Sequence, residues 1–284
     1  MAASVGAIER ELAELRASGP DEGSWLRTSV LTHVVWAPGE WRDAAEQTLA
    51  GLAERHPSRT ILLVPEPDAP EDELAADVDL RCFTAPGQEH HVCSEVIELR
   101  LRGRRARAPA SVVAPLLLVD LPAFLRWRGE PPWHDDAFDG LVDAVDRLIV
   151  DSTEWAGDPR EAYGLLAELF DRVAVSDIAW ARTSRWRTQL ASMWPGIGDV
   201  ERIRVTATPA QAHLLAGWLR SRLKREVALE VEPADRLLGV DVDGEPTPFP
   251  PGDPPDPSDV LSDELDRFGR DRVYEAAVRA AASG

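Results

Sequence analysis

Lysine is all but missing from this chain. Of 31 Lys and Arg residues in 284, Lys224 alone is a lysine, so there is no Walker phosphate loop. No Gly-x-Gly-x-x-Gly follows a strand, and the Gly196-Ile197-Gly198 fragment reads as turn glycines. A Gly-x-Ser-x-Gly elbow and a His-Glu-x-x-His pair are absent too. These gaps remove the common nucleotide-binding and hydrolase classes, and no cofactor is expected. Positive charge is outnumbered, 50 Asp and Glu leaving the chain at −19. Such a field repels phosphate backbones and anionic lipid, so neither nucleic acid nor membrane is an expected partner. Two cysteines, Cys82 and Cys93, cannot form a disulfide framework, which points to a reducing compartment. No run approaches the roughly 18 apolar residues of a membrane span. The first 16 residues carry Glu9, Glu11 and Glu14 and no basic start, so no signal peptide is expected and the protein is placed in the cytoplasm.

What is present describes a folded α/β protein. Hydrophobic residues make up 44%, enough for a real core. A short amphipathic helix over 7–17 ends at Ser18-Gly19-Pro20. Residues 25–36 read as one strand rich in β-branched and aromatic side chains. Trp41, Ala45, Leu49, Leu52 and Ala53 then recur at helical spacing, and Ile61–Val64 is a short buried strand, giving a strand–helix–strand unit. Residues 77–83 and 91–102 alternate apolar with charged, as in an antiparallel hairpin. Strands follow at Ala123–Trp127 and Leu148–Val150, flanking a helix at Asp136–Arg147. In the second half, Asp158-Pro159 and Thr208-Pro209-Ala210-Gln211 are helix starts. Strands fall at 202–207, 227–231 and 238–242, and helices after Asp256-Pro257 and over Asp271–Ala281. Residues 244–258 hold seven prolines and read as a weakly ordered loop. The expected organisation is an N-terminal helix and linker (1–24) and two α/β domains, 25–152 and 153–284, with the boundary near 151–158.

Three clusters bear on chemistry. Cys82, His90, His91 and Cys93 match no zinc spacing. A symmetric hairpin turn puts Cys82 across from Cys93 on the apolar face, where two reduced core thiols are the expectation. A redox-switchable disulfide is the second reading and zinc the third. Asp135, Asp136, Asp139, Asp143 and Asp146 invite a metal reading, but a solvated helix face explains them. His33 lies within a strand, and His56 ends a helix, where a cation suits the dipole. Arg126-Trp127-Arg128 and Trp180 to Arg187, with Arg182, Arg185, Trp186 and Arg187, interleave the two residues most enriched in protein–protein hot spots. They are the candidate binding surface, against the alternative of core tryptophans with solvated neighbours.

Seven segments, in order, carry a family resemblance. They are Arg27-Thr28-Ser29-Val30-Leu31; His56-Pro57-Ser58-Arg59; Pro115-Leu116-Leu117-Leu118 with Asp120-Leu121-Pro122 and Trp127; Arg147-Leu148-Ile149-Val150-Asp151-Ser152; Ser176 to Arg182 with Trp186-Arg187; Leu215-Ala216-Gly217-Trp218-Leu219; and Asp271-Arg272-Val273-Tyr274-Glu275-Ala276-Ala277. In these the chain resembles the glucose-6-phosphate dehydrogenase assembly proteins (OpcA) of actinobacteria and cyanobacteria, over about residues 25–281. It departs at 233–256, where relatives carry more sheet. The resemblance implies a non-catalytic partner that promotes oligomeric assembly and activation of glucose-6-phosphate dehydrogenase in the oxidative pentose phosphate pathway. Arg59 and the two Arg–Trp segments fall inside the shared stretches. The alternative is an α/β enzyme or sensor that grips a phosphorylated sugar through Arg59, Arg182 or Arg187.

Overall fold

The structure, a computed structural model, describes residues 4–17, 25–26, 29–52, 55–84, 91–253 and 255–284. The helix stop at Ser18-Gly19-Pro20, the Arg27-Thr28 opening of the first family segment, Ala53 and the hairpin turn with His90 lie outside the described residues. The chain is mixed α/β and divides into two compact units, Met1–Ile149 with Pro257–Asp266 and Val150–Asp256 with Arg267–Gly284.

The first unit runs α1 (Val5–Ala17), β1 (Trp25–Leu26), β2 (Leu31–Trp36), α2 (Arg42–Leu52), β3 (Ser58–Glu66), β4 (Leu74–Thr84) and β5 (His91–Arg102). Two single-turn helices follow, α3 (Arg104–Arg107) and α4 (Ala110–Val113), then β6 (Ala123–Trp127), α5 (Asp136–Asp143) and β7 (Arg147–Val150), which reaches the division between the units. The strands lie in the order β1-β5-β3-β2-β6-β7, all parallel, with β4 antiparallel on β5. The expected strand–helix–strand unit is β2–α2–β3, its strands paired in parallel with Val34 beside Ile61. All six residues of β2 are buried, as a central parallel strand covered on both faces requires.

Residues 25–36 are two strands rather than one. β1 pairs with β5, whereas β2 lies between β3 and β6. A β-branched run favours extended backbone without specifying which neighbour each part meets. The helix expected to reach Arg147 stops at Asp143, because the Asp146 amide already donates to the Ala123 carbonyl and Arg147 pairs beside Phe124. Asp135 caps α5 and Asp146 accepts from the Ala123 amide, so two of the five aspartates have structural roles. The segment Pro257–Asp266, expected with the C-terminal half, packs in the first unit instead. Its helix meets α2, with Arg55 2.5 Å from Asp259 and His56 Nε2 2.7 Å from Ser262 Oγ. His56 follows the end of α2, its amide donating to the Leu52 carbonyl, and is buried in that contact.

The hairpin register places Cys82 directly opposite Cys93, and the two sulfurs are bonded. This corrects the expectation of two reduced core thiols. Directly opposed antiparallel positions bring the Cα atoms to 4.1 Å here, and Cys82 is exposed rather than sealed on the apolar face. Alkylation is expected to modify neither cysteine before reduction and both after it. Equal labelling with and without reductant would contradict the bond.

The second unit contains α6 (Pro159–Glu168), β8 (Ala174–Asp177), α7 (Ile178–Arg182), α8 (Ser184–Ser192), β9 (Arg202–Ala207), α9 (Pro209–Leu223), β10 (Ala228–Pro233), β11 (Gly239–Val242) and β12 (Glu245–Pro246). The helix of the first unit just described is α10 (Pro257–Leu265), and α11 (Arg272–Ala282) closes the second unit. Its sheet has the order β10-β9-β11-β12, with β10 parallel and β11 antiparallel to β9. The strand expected at 238–242 is present as β11, and β12 adds a second strand in the stretch where the family resemblance implied loop in place of its relatives' sheet. The predicted starts are in place: Asp158 caps α6 before Pro159, and the Thr208 hydroxyl accepts from the Gln211 amide.

Helices α9 and α11 touch backbone to backbone at Gly217. A Cβ there would lie 2.3 Å from the Ala277 carbonyl oxygen and 2.7 Å from the Ala281 nitrogen. Alanine would gain about 1 kcal/mol of helix propensity, but overpacking against rigid backbone costs about 1–3 kcal/mol or more. Gly217→Ala is expected to lower unfolding free energy by about 2 kcal/mol in denaturant titration, the overpacking term winning. A neutral result would show that the two helices separate at no cost.

Candidate functional site

In the first unit the expected contact residues are largely interior. Arg59 is 3% exposed; its Nε lies 2.7 Å from Glu95, and its NH1 reaches Glu9 at 2.7 Å and the Leu116 carbonyl at 2.9 Å. It fastens α1 to the sheet and is not available to grip phosphate. Arg126 and Trp127 are 3% and 2% exposed in the central strand β6. The Trp127 ring stacks on its cross-strand neighbour Trp36 at 4.6 Å and meets Phe138 edge-on at 4.9 Å. Arg126 donates to the Trp127 carbonyl, and Arg128 lies half-buried over Trp41 at 4.6 Å. Arg126 and Trp127 are thus core, which corrects their reading as contact residues, while Arg128 is only half-buried. Reversing the charge of Arg126 would strand a buried carboxylate.

The second unit holds Arg182, Arg185, Trp186 and Arg187 together, and its own buried cluster sets their positions. Asp177 ends β8 and caps α7 by accepting from the Ala179 amide at 2.8 Å. It also accepts from the Ser152 amide at 3.1 Å, the Ser152 hydroxyl at 2.7 Å and the Tyr274 hydroxyl at 3.4 Å. Tyr163 Oη lies 2.9 Å from Ser152 Oγ and 3.0 Å from the Ala210 carbonyl. Burial raises the Tyr163 phenol well above its ordinary value, so it stays protonated. Burial, and then the charge of Asp151, pushes the Asp177 carboxyl up to about 7, against the pull of its hydrogen bonds. Asp151 in turn accepts from Arg182 NH1 at 2.9 Å and caps the next turn through the Thr153 amide.

Helix α7 thus aims Arg182, and α8 continues the surface. Arg185 donates through NH2 to the carbonyls of Pro250 at 2.8 Å, Pro251 at 2.7 Å and Gly252. Trp186 is buried and meets Phe249 edge-on at 5.4 Å. The proline-rich loop is therefore fastened to α8, contrary to its reading as weakly ordered, because prolines leave their carbonyls open to a guanidinium fork. Arg187 lies over Trp180 at 3.4 Å and donates to Thr183 Oγ1 at 3.0 Å. Between α7, α8, the β10–β11 turn and the loop lies a recess of about 570 Å³. Arg182, Arg185 and Arg236 supply its cations, and Trp186, Leu237, Leu238, Phe249 and Pro255 its apolar wall. Thr153, Gln211 and Asp235 complete it. No local pattern singles out Arg236 or Phe249: one sits in a turn, the other among prolines. Trp194 also went unnoticed, at 68% exposed just beyond α8.

An aspartate whose folded value exceeds its unfolded value takes up a proton on folding. Its contribution is complete below the ordinary 3.8 and is lost as pH rises toward about 7. Asparagine keeps the acceptor for the two amides, and its NH2 donates to hydroxyls that can rotate to accept. Asp177→Asn is therefore expected to gain stability relative to the parent between pH 5 and 8, followed by thermal melts of both. A constant difference across that range would place the titration of Asp177 elsewhere.

The family described as glucose-6-phosphate dehydrogenase subunit N-terminal domain matches residues 49–168, and its C-terminal counterpart matches residues 173–249. Curated relatives carry the name OpcA and, within that name, the OxPP cycle. One from Synechococcus elongatus is 26% identical over 72% of this chain and 50% of its own length. Those from Synechocystis sp. and Nostoc punctiforme are 27% and 28% identical over 61% and 65% of the chain and 38% and 42% of their lengths. The chain thus spans half or less of the curated relatives it matches. No described helix is long and apolar enough to cross a membrane. Two domain matches in family order, over residues 49–168 and 173–249, show that the chain belongs to the OpcA family of glucose-6-phosphate dehydrogenase assembly proteins.

Proposed function

We propose that this protein is a cytoplasmic, non-catalytic factor that binds glucose-6-phosphate dehydrogenase and favours its active oligomeric state. The observation that carries this reading is the paired match to both domains described as dehydrogenase subunit domains. The chemistry of the second unit agrees with it. Its Ser152, Tyr163, Asp177 and Tyr274 are buried and bonded to one another, a frame rather than a set of groups open to substrate.

The mechanism is linkage. A factor that binds one oligomeric state more tightly shifts the population toward it by that differential affinity. A 100-fold preference corresponds to about 2.7 kcal/mol, well within a standard interface. The net charge of −19 suits a partner with basic patches and acts mainly on encounter rate. Contact is assigned to the second unit, where Trp194 exposes a large ring beyond α8, with Arg185 and Arg187 on the same helix. Tryptophan and arginine are the residue types most enriched in hot spots.

Mixing the chain with the dehydrogenase of its own organism is expected to produce a heavier species in light scattering and a higher specific activity. Trp194→Ala should weaken both by about tenfold without moving the melting temperature, since an exposed ring contributes little to the fold. No change in mass or activity with the parent chain would defeat the proposal.

A further inference from the structure

We infer that the recess of the second unit binds a nucleotide, a ligand that joins a planar base to phosphate. Its volume of about 570 Å³ falls within the few hundred to 1,000 Å³ of small-molecule sites. Its electrostatics run against those of the chain. Among the described residues, Arg182, Arg185 and Arg236 line it with one carboxylate, Asp235, on a protein whose net charge is −19. A cationic concavity on an acidic protein collects anions locally while the rest of the surface repels them.

The arginines divide the work. Arg185 is committed to the loop carbonyls and fixes the rim, adding its charge to the recess. Arg182 is held by Asp151 and Thr153 through NH1 and remains 34% exposed, so its planar fork is oriented before any ligand arrives. Arg236 is exposed on the β10–β11 turn across from them. Guanidinium forks match phosphate oxygens two at a time, which is how side chains replace the glycine loop that this sequence lacks.

The remaining wall selects the other half of the ligand. Phe249 is 66% exposed, yet the buried Trp186 anchors it edge-on. A large apolar ring held open at the mouth of a cationic recess is a stacking platform for a base. Leu237 and Leu238 extend that apolar surface, and Asp235 can accept from a base amine or a ribose hydroxyl. A sugar phosphate would satisfy the arginines and leave this wall uncovered.

The inference does not depend on the dehydrogenase reading, because its test uses the full chain alone. Calorimetric titration with ADP, GDP and UDP is compared with adenosine, inorganic pyrophosphate and glucose 6-phosphate. At least one nucleoside diphosphate is expected to bind about tenfold more tightly than adenosine, pyrophosphate or glucose 6-phosphate. Arg236→Glu and Phe249→Ala should each weaken that binding by about tenfold while leaving the melting temperature unchanged, both side chains being exposed. The inference is overturned if no nucleotide binds at about 1 mM, if pyrophosphate or glucose 6-phosphate binds as tightly, or if neither substitution matters.

Discussion

The buried carboxyl of Asp177 is the point on which the second unit turns. Four donors converge on it, from the Ser152 amide and hydroxyl, the Ala179 amide and the Tyr274 hydroxyl. They come from the segment after β7, from α7 and from α11, elements far apart in sequence. Each such bond is worth about 1 kcal/mol net, but removing the acceptor would leave several buried donors unmatched, at about 1–3 kcal/mol each. Asp177 also starts α7, and that start fixes where Arg182 points and where α8 begins. Trp186 and Arg185 follow in register, and the proline-rich loop closes on them. The recess exists because one strand-end aspartate has its acceptor positions filled by the right neighbours.

Arginine serves packing here as often as recognition. With one lysine in the chain, every interior cation is a guanidinium, and the fold uses its planarity. Arg59 bridges Glu9, Glu95 and a carbonyl inside the first unit, while Arg128 and Arg187 lie over tryptophan rings. A buried ion pair adds little net stability, yet breaking one by removing a partner is costly. Such contacts specify position more than they add free energy. His33 follows the same logic: burial and then the neighbouring Arg126 hold its imidazole down to about 3, so it stays neutral in the core.

Much of the fold was legible because its signals are local. Asp158 before Pro159 and Thr208 three residues before Gln211 cap as their spacing predicts, since a cap depends on residues two or three apart; Asp271, expected as the first residue of the last helix, caps it instead. The hairpin register followed from alternation, and it set Cys82 opposite Cys93. The candidate site was legible only in part. Arg182, Arg185 and Trp186 do line the recess, whereas Arg126, Trp127 and Arg59 are interior. Arg126-Trp127-Arg128 and Arg185-Trp186-Arg187 have the same pattern. One lies on a central strand and the other on a helix facing a loop, and only long-range pairing separates them. The missed residues, Arg236, Phe249 and Trp194, sit in turns and loops without periodicity, where nothing local marks exposure.

The sequence by itself determined the α/β class, the element types, the helix starts and the family, because propensity, capping and alternation act within a few residues. Tertiary structure alone decided the rest. It split residues 25–36 between two places in the sheet and returned α10 to the first unit. It joined the two cysteines, buried one arginine–tryptophan segment and opened the other onto a recess. The physical reason is that burial and charge pairing are set by neighbours distant along the chain, as Asp177 and Tyr274 are, and no local pattern records which of them will meet.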